Sequence, residues 1–231
     1  HNIDRPQLHR VNFLFEFQPV LISQNENIDF LWYWNICQKD LMKIKYTKSE
    51  LRKLYLTKRK VLSDEAHEEL SFAIANQCLH LPIWTFQYFH LFLPIKYKAE
   101  IDSTILLTIL QGRDKEIVLP KLKGKSDLDH ILLTDSTQIE NNQWQIPEPK
   151  EGIFFDPKKL DVVFVPLLVC DLKGHRVGYG KGFYDQFLKQ CKPDVLKIGL
   201  SFFEPIQTIE DVFEGDILLD YCVFPDYITT F

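Results

Sequence analysis

Residues 176–185 read Arg176-Val177-Gly178-Tyr179-Gly180-Lys181-Gly182-Phe183-Tyr184-Asp185, with glycine at three alternate positions. Glycines so spaced let a backbone turn tightly and approach a ligand closely. The successive N–H groups of such a turn form a nest for an anion. The apolar run Val162-Val163-Phe164-Val165 just upstream reads as a buried strand, and residues 183–191 read as a helix. A helix there adds the positive end of its dipole to the loop. Arg176 and Lys181 supply formal charge, and Asp185 lies in the first helical turn, where a carboxylate can reach a Mg²⁺ ion bridging phosphates. The loop is neither G-x-x-x-x-G-K-[ST] nor the dinucleotide fingerprint G-x-G-x-x-G. A glycine-rich turn that merely bends the chain explains the glycines but not Arg176, Lys181 and Asp185.

Upstream, Thr47 and Glu50 have capping-box spacing, and Ser63 followed by Asp64 and Glu65 predicts a second helix start. The apolar run 86–93 suits a strand buried on both faces. Residues 100–110 read as a helix, and 117–119 as a short strand ended by Pro120. Another strand is expected over 128–133, and 134–160 reads as a long polar, Pro-rich loop. Strands over 195–200 and 218–224 close the sheet. Strands alternating with helices predict a mainly parallel, three-layer α/β sandwich.

The net charge of −5 excludes general affinity for nucleic acid or an anionic membrane, so an anionic ligand needs a local cluster of cations. The five scattered cysteines form no C-x-x-C pair, which fits reduced thiols in the cytoplasm. No run approaches the roughly 18 apolar residues of a membrane span. The only methionine is Met42. Met42 reads as the start of a single domain over 42–231, with 1–41 an extension outside the fold; the alternative is an N-terminal element packed on that domain.

With its flanks the loop resembles the 5-formyltetrahydrofolate cyclo-ligase family. That family's pattern is a strand ending in Val-Pro, an Asp-x-x-Gly-x-Arg turn, and a loop G-x-G-x-G-[YF]-Y-D. Here the pattern reads Phe164-Val165-Pro166, Asp171 through Arg176, and Gly178 through Asp185. Four more segments fall in the family's order. Lys48-Ser49-Glu50-Leu51-Arg52 is similar to its K-x-x-L-R helix, and Glu100-Ile101-Asp102 to its acidic folate-recognition position. Trp144-Gln145-Ile146-Pro147-Glu148-Pro149 is similar to its W-x-I-P-x-P segment near the pterin, and Glu214-Gly215-Asp216 opens its acidic C-terminal motif. Phe183 stands where the family usually has Tyr, and Leu167 and Cys170 replace a usual Gly and aromatic residue. Taken singly, Lys48 and Arg52 would read as a solvated helix face, Glu100 as a first-turn acid, Trp144 equally as a core anchor, and Asp216 as a strand-edge charge. Their joint order around the loop carries the resemblance.

The resemblance implies the fold shared by sugar-phosphate isomerases and CoA transferases. It implies ATP-dependent closure of 5-formyltetrahydrofolate to 5,10-methenyltetrahydrofolate, with release of ADP and phosphate, by a monomer acting on small molecules. Phosphorylating the formyl oxygen makes the carbon electrophilic and the oxygen a leaving group, and the N10 amine then closes the ring. Lys181 and Arg176 would be catalytic. Lys48, Arg52, Arg176, Gly178, Gly180, Lys181, Gly182, Tyr184 and Asp185 would hold ATP. Leu93, Glu100, Trp144, Phe183 and Tyr184 would hold the folate, and Asp185 and Asp216 would hold Mg²⁺. Two alternatives stay open: an enzyme of the same fold acting on a sugar phosphate or CoA ester without ATP, and a catalytically silent folate- or nucleotide-binding protein. His175 is expected as an exposed turn residue, and His67, His80 and His90 on the faces of ordinary elements.

Overall fold

The computed structural model describes residues 46–124 and 127–231. The expectations for 1–41 and for Met42 lie outside the described residues.

Two helices open the described chain: α1, Lys48–Lys60, and α2, Asp64–Cys78. Both begin at the expected caps. The Thr47 N–H donates to Glu50 Oε2 at 2.9 Å while the Thr47 hydroxyl accepts from the Glu50 N–H, and the Ser63 hydroxyl accepts from the Ala66 N–H. Strand β1 (Tyr88–His90), the 3₁₀ turn Lys96–Lys98 and α3 (Thr104–Gln111) follow. Next come β2 (Glu116–Lys123), β3 (Asp127–Leu132), β4 (Ile139–Asn141), β5 (Pro147–Pro149) and β6 (Ile153–Phe154). A 3₁₀ turn at Pro157–Lys159 leads to β7 (Val162–Pro166), β8 (Val169–Cys170) and β9 (Arg176–Val177). Helix α4 (Phe183–Leu188), β10 (Leu196–Leu200), β11 (Tyr221–Val223) and β12 (Ile228–Thr230) complete the chain.

The main sheet has the order β12-β11-β10-β7-β1-β2-β3-β6. Its middle, β11 through β2, is parallel, and β12, β3 and β6 pair antiparallel to their neighbours. Strand β7 shows why both faces need cover. Val162 and Phe164 pack toward Ile74 and Cys78 of α2 and Leu106 and Leu110 of α3. Val163 and Val165, one residue out of phase, pack toward Phe187 and Leu188 of α4. Each such side chain, fully buried, contributes about 1.5–3 kcal/mol relative to exposure. Helix α1 lies apart from these layers, with Leu51 and Tyr55 against Val169 and Val177 of the β8–β9 hairpin. The result is the expected α/β sandwich with a mainly parallel sheet.

Several elements differ from expectation, each for a local reason. Strand β1 covers only the middle of the apolar run 86–93, and Phe92 and Leu93 beyond it wall a cavity. Helix α3 starts after Glu100: its N-cap is Ser103, and Asp102 just before it accepts from the Thr104 N–H at 3.0 Å. Pro120 does not end β2. Its nitrogen has the same parity as Glu116 and Val118, whose backbone groups face β1, and β1 has stopped before Pro120. The segment 134–160 contains the β4–β5 hairpin and edge strand β6. Helix α4 ends at Leu188, and the terminal strand, too short to show a period, adds β12 to the far edge.

Candidate active site

The parallel strands end at a cavity of about 910 Å³, lined by residues at or just beyond the ends of β1, β2 and β7 together with the glycine loop. Ligands of open α/β sheets bind at this end of the strands. Every predicted site residue except Asp216 lines it, and Asp216 is reached through Lys48, which does.

The loop is built from its Asp-x-x-Gly-x-Arg turn. Asp171 is fully buried and accepts from the N–H groups of Lys173 at 2.9 Å, His175 at 3.0 Å and Ile209 at 3.2 Å. His175 is therefore no free turn residue, since its Nδ1 lies 3.1 Å from Asp171 Oδ2. This frame aims Arg176 back beneath the loop. The guanidinium donates to Asp185 Oδ1 at 2.7 Å and to the Ile217 carbonyl. Asp185 Oδ1 also accepts from the Ile217 N–H at 3.2 Å. Arg52, one turn into α1, donates from Nε to the Gly178 carbonyl at 2.9 Å. Gly180 has φ +85°, and a Cβ there would lie 2.9 Å from the Arg52 Cζ, so the loop needs glycine on both counts. Gly182, at φ +71°, turns the chain into α4. That helix spans six residues, so the nest and side chains carry more of the positive field than the dipole expected of a longer helix. Lys181 is exposed at the crest.

Both predicted metal ligands are engaged with cations: Asp185 with Arg176, and Asp216 with the Lys48 ammonium. Burial pushes the Asp216 carboxyl up, but Lys48 and the Phe213 N–H outweigh it and hold it below the usual range. Among the described residues no group of three or more His, Cys, Asp or Glu is arranged to hold a metal. Two carboxylates are nevertheless the donor set that Mg²⁺ accepts when phosphates and water complete its shell.

Glu100, Trp144 and Leu93 line the cavity as well. Glu100 is 4% exposed, with Oε1 accepting from the Tyr179 hydroxyl at 2.5 Å and Oε2 from the Ile95 N–H at 2.7 Å. Burial pushes its carboxyl up, against the lowering effect of these donors and of Arg59 and Lys98. Ala99, just before it, adopts φ +46°, which is costly for a residue with a Cβ and bends the chain to deliver Glu100 inward. His67, expected on an ordinary helix face, has Nε2 2.6 Å from the Glu100 carbonyl. Trp144 tips the β4–β5 hairpin. Asn142 Oδ1 accepts from the Trp144 N–H at 2.9 Å, and Glu148 ties the hairpin to β2 through the Leu122 N–H at 3.1 Å. Phe183 and Tyr184 close the cavity from α4. The Tyr184 hydroxyl is buried near His90, and burial keeps it protonated. His90 is itself fully buried between Phe187 and His130, and burial lowers both imidazoles, His130 to about 4.

Sequence reasoning missed Arg59, Lys98 and Tyr179. Arg59 lies in the basic run Lys58-Arg59-Lys60, Lys98 in Lys96-Tyr97-Lys98, and Tyr179 between two glycines. The signal available in advance was slight: Tyr179 is the one aromatic residue inside the G-x-G-x-G repeat.

The model of the 5-formyltetrahydrofolate cyclo-ligase family matches residues 44–212. The 5-formyltetrahydrofolate cyclo-ligase of Mus musculus is 29% identical over 146 residues, 57% of this chain and 71% of the relative. That of Mycoplasma genitalium is 27% identical over 179 residues, 76% and 97%. The solved Aquifex aeolicus 5,10-methenyltetrahydrofolate synthetase superposes with a TM-score of 0.68 at 32% identity, covering 79% of this chain and 92% of that one. A 5,10-methenyltetrahydrofolate synthetase from Mycoplasma pneumoniae shares the fold, with a TM-score of 0.61 at 24% identity and coverage of 76% and 97%.

Proposed function

The chain belongs to the 5-formyltetrahydrofolate cyclo-ligase family, and from that premise we propose that this cavity closes 5-formyltetrahydrofolate to 5,10-methenyltetrahydrofolate at the expense of ATP, releasing ADP and phosphate. The observation that carries the reading is the cavity's lining. Lys48, Arg52, Arg176 and Lys181 line it together with loop amides that suit phosphates, and a buried acid, Glu100, and an exposed tryptophan, Trp144, line it as well. The two sets suit the two substrates.

Little covalent chemistry falls to the protein, so its work is positioning and charge stabilisation. Lys48 and Arg52 clamp phosphates from α1, and Lys181 and Arg176 oppose the charge that builds as the γ-phosphoryl group leaves ADP for the formyl oxygen. Glu100, Trp144, Leu93, Phe183 and Tyr184 hold the folate so that N10 lies in line with the activated carbon. Asp185 and Asp216 would release their cationic partners to hold Mg²⁺, which when bound neutralises phosphate charge. We further take the protein as a cytoplasmic monomer. In support of the cytoplasm, Cys78, Cys170, Cys191 and Cys222 are free thiols.

The test is an assay of near-ultraviolet absorbance by the methenyl product. Purified protein is expected to form it only when ATP and Mg²⁺ are both present. Turnover without nucleotide, or none under any condition, would overturn the proposal.

A further inference from the structure

Two charges are buried beside the cavity and neither has an ion-pair partner in direct contact. Arg59, in the last turn of α1, is 2% exposed, and Glu100 is 4% exposed. One hydroxyl connects them. Tyr179 Oη accepts from Arg59 Nη1 at 3.0 Å and donates to Glu100 Oε1 at 2.5 Å. Arg59 Nη2 donates to the Leu167 carbonyl just beyond β7, which fixes the guanidinium to the sheet. The Lys98 ammonium sits 3.7 Å from the centroid of the Tyr179 ring, so a second cation bears on the same side chain. An uncompensated buried charge is costly, and apart from backbone bonds, to the Leu167 carbonyl for Arg59 and from the Ile95 N–H for Glu100, the two side chains are hydrogen-bonded among the described residues only through the Tyr179 hydroxyl.

Tyr179 is also a member of the glycine loop, between Gly178, whose carbonyl Arg52 holds, and Gly180, which packs on the Arg52 guanidinium. Helix α1 thus grips the loop twice, through Arg52 at the backbone and through Arg59 at the Tyr179 side chain. The loop cannot shift without carrying the hydroxyl that holds Glu100.

We propose that Tyr179, braced by Arg59, is a positioning residue that fixes Glu100 for the folate and makes its placement depend on the glycine loop. The inference rests on the folate reading of the Glu100 wall. It assigns no contact between Tyr179 or Arg59 and either substrate.

Tyr179→Phe tests it by removing one oxygen. Glu100 Oε1 then loses its donor, and a buried acceptor left unpaired costs enough to raise KM for 5-formyltetrahydrofolate roughly tenfold or more. KM for ATP is expected to change by less than about threefold, because the groups on the phosphates remain. Glu100 is faced by Arg59 from α1, His67 from α2, Lys98 from the 3₁₀ turn, Tyr184 from α4, and Tyr179 from the loop, with Lys181 near Lys98. Losing the Tyr179 donor while these stay raises the Glu100 carboxyl further, so the acid limb of kcat/KM for the folate moves to higher pH.

The same shift is read without catalysis from the side-chain carboxyl ¹³C titration of Glu100, assigned with Glu100→Gln. That measurement stands even if the wild type fails to turn over the folate, an outcome that would sink the functional reading rather than the relay. Arg59→Met, which removes the brace, is expected to move the titration and the folate KM in the same directions. An unchanged Glu100 titration in whichever of the two variants folds, judged by circular dichroism, would overturn the relay. So would a change confined to KM for ATP.

Discussion

Two groups of residues line the cavity, a cation-rich wall around the glycine loop and an aromatic wall around Glu100 and Trp144, and they differ in how their charges are balanced. The cation-rich wall takes Arg176, Lys181 and Asp185 from ten successive residues, and most of its charges are balanced close by: Arg176 by Asp185, and Lys48 by Asp216. The aromatic wall takes Leu93, Lys98 and Glu100 from residues 93–100 and Trp144 from the β4–β5 hairpin, and its buried acid is balanced by a relay to α1 and the glycine loop. A change on the first wall should therefore stay local and register in kcat. A change on the second should travel through tertiary contacts and register in folate binding.

The largest expected effect is on the first wall. Lys181 is exposed, and a surface charge contributes little to stability. Its ammonium rides between two glycines on the nest, where it matters most as charge moves onto the transferred group. Lys181→Ala is expected to lower kcat by about 10²–10³ with the melting temperature unchanged. Steady-state kinetics beside thermal melts decide it, and near-normal kcat would remove the loop from phosphoryl transfer.

The next effect separates the two carboxylates of that wall. Asp216→Asn and Asp185→Asn are both expected to raise the Mg²⁺ concentration for half-maximal activity, by about 10–100-fold, with KM for the folate little changed. Only Asp185→Asn should also lower the melting temperature, because the Arg176 side chain is 7% exposed and loses its counter-charge, whereas Lys48 can turn toward solvent. Equal melting temperatures would show that Arg176 does not depend on Asp185. An unchanged Mg²⁺ requirement in both variants would show that neither carboxylate holds the metal.

The contrast between the walls also explains what could be read in advance. The α/β class, the caps at Thr47 and Ser63, and the glycine loop follow from residues within a few positions of one another, so the chain displays them directly. The relay does not. Arg59 and Tyr179 are 120 residues apart, and nothing in either neighbourhood signals the other. Pro120 misleads for a related reason, since whether proline ends a strand depends on where the neighbouring strand stops. The segment 134–160 hides its hairpin because β4 and β5 are three residues each, with prolines at both ends of β5. The charge runs around Arg59 and Lys98 resemble any solvated surface until the fold buries Arg59 and half-buries Lys98 over the Tyr179 ring.

Trp144 offers the smallest effect and the finest test of the second wall. Its side chain is half exposed, so the fold gains little from it. The hairpin beneath keeps its shape through Asn142 and through the bond from the Leu122 N–H to Glu148, neither of which uses the indole. Trp144→Ala is therefore expected to leave the melting temperature unchanged and to remove only an aromatic surface facing the cavity. A stacked ring is worth about 0.5–1.5 kcal/mol beyond the area it covers, which corresponds to a rise of roughly two- to twelvefold in KM for 5-formyltetrahydrofolate. KM for ATP should not move, because the phosphates meet the other wall. Trp144→Phe should restore part of the loss. A folate KM untouched by Trp144→Ala would place the hairpin outside the folate side and leave Glu100 and the α4 aromatics to hold that substrate. A change in KM for ATP of the same size would mean that the walls are not divided between the two substrates.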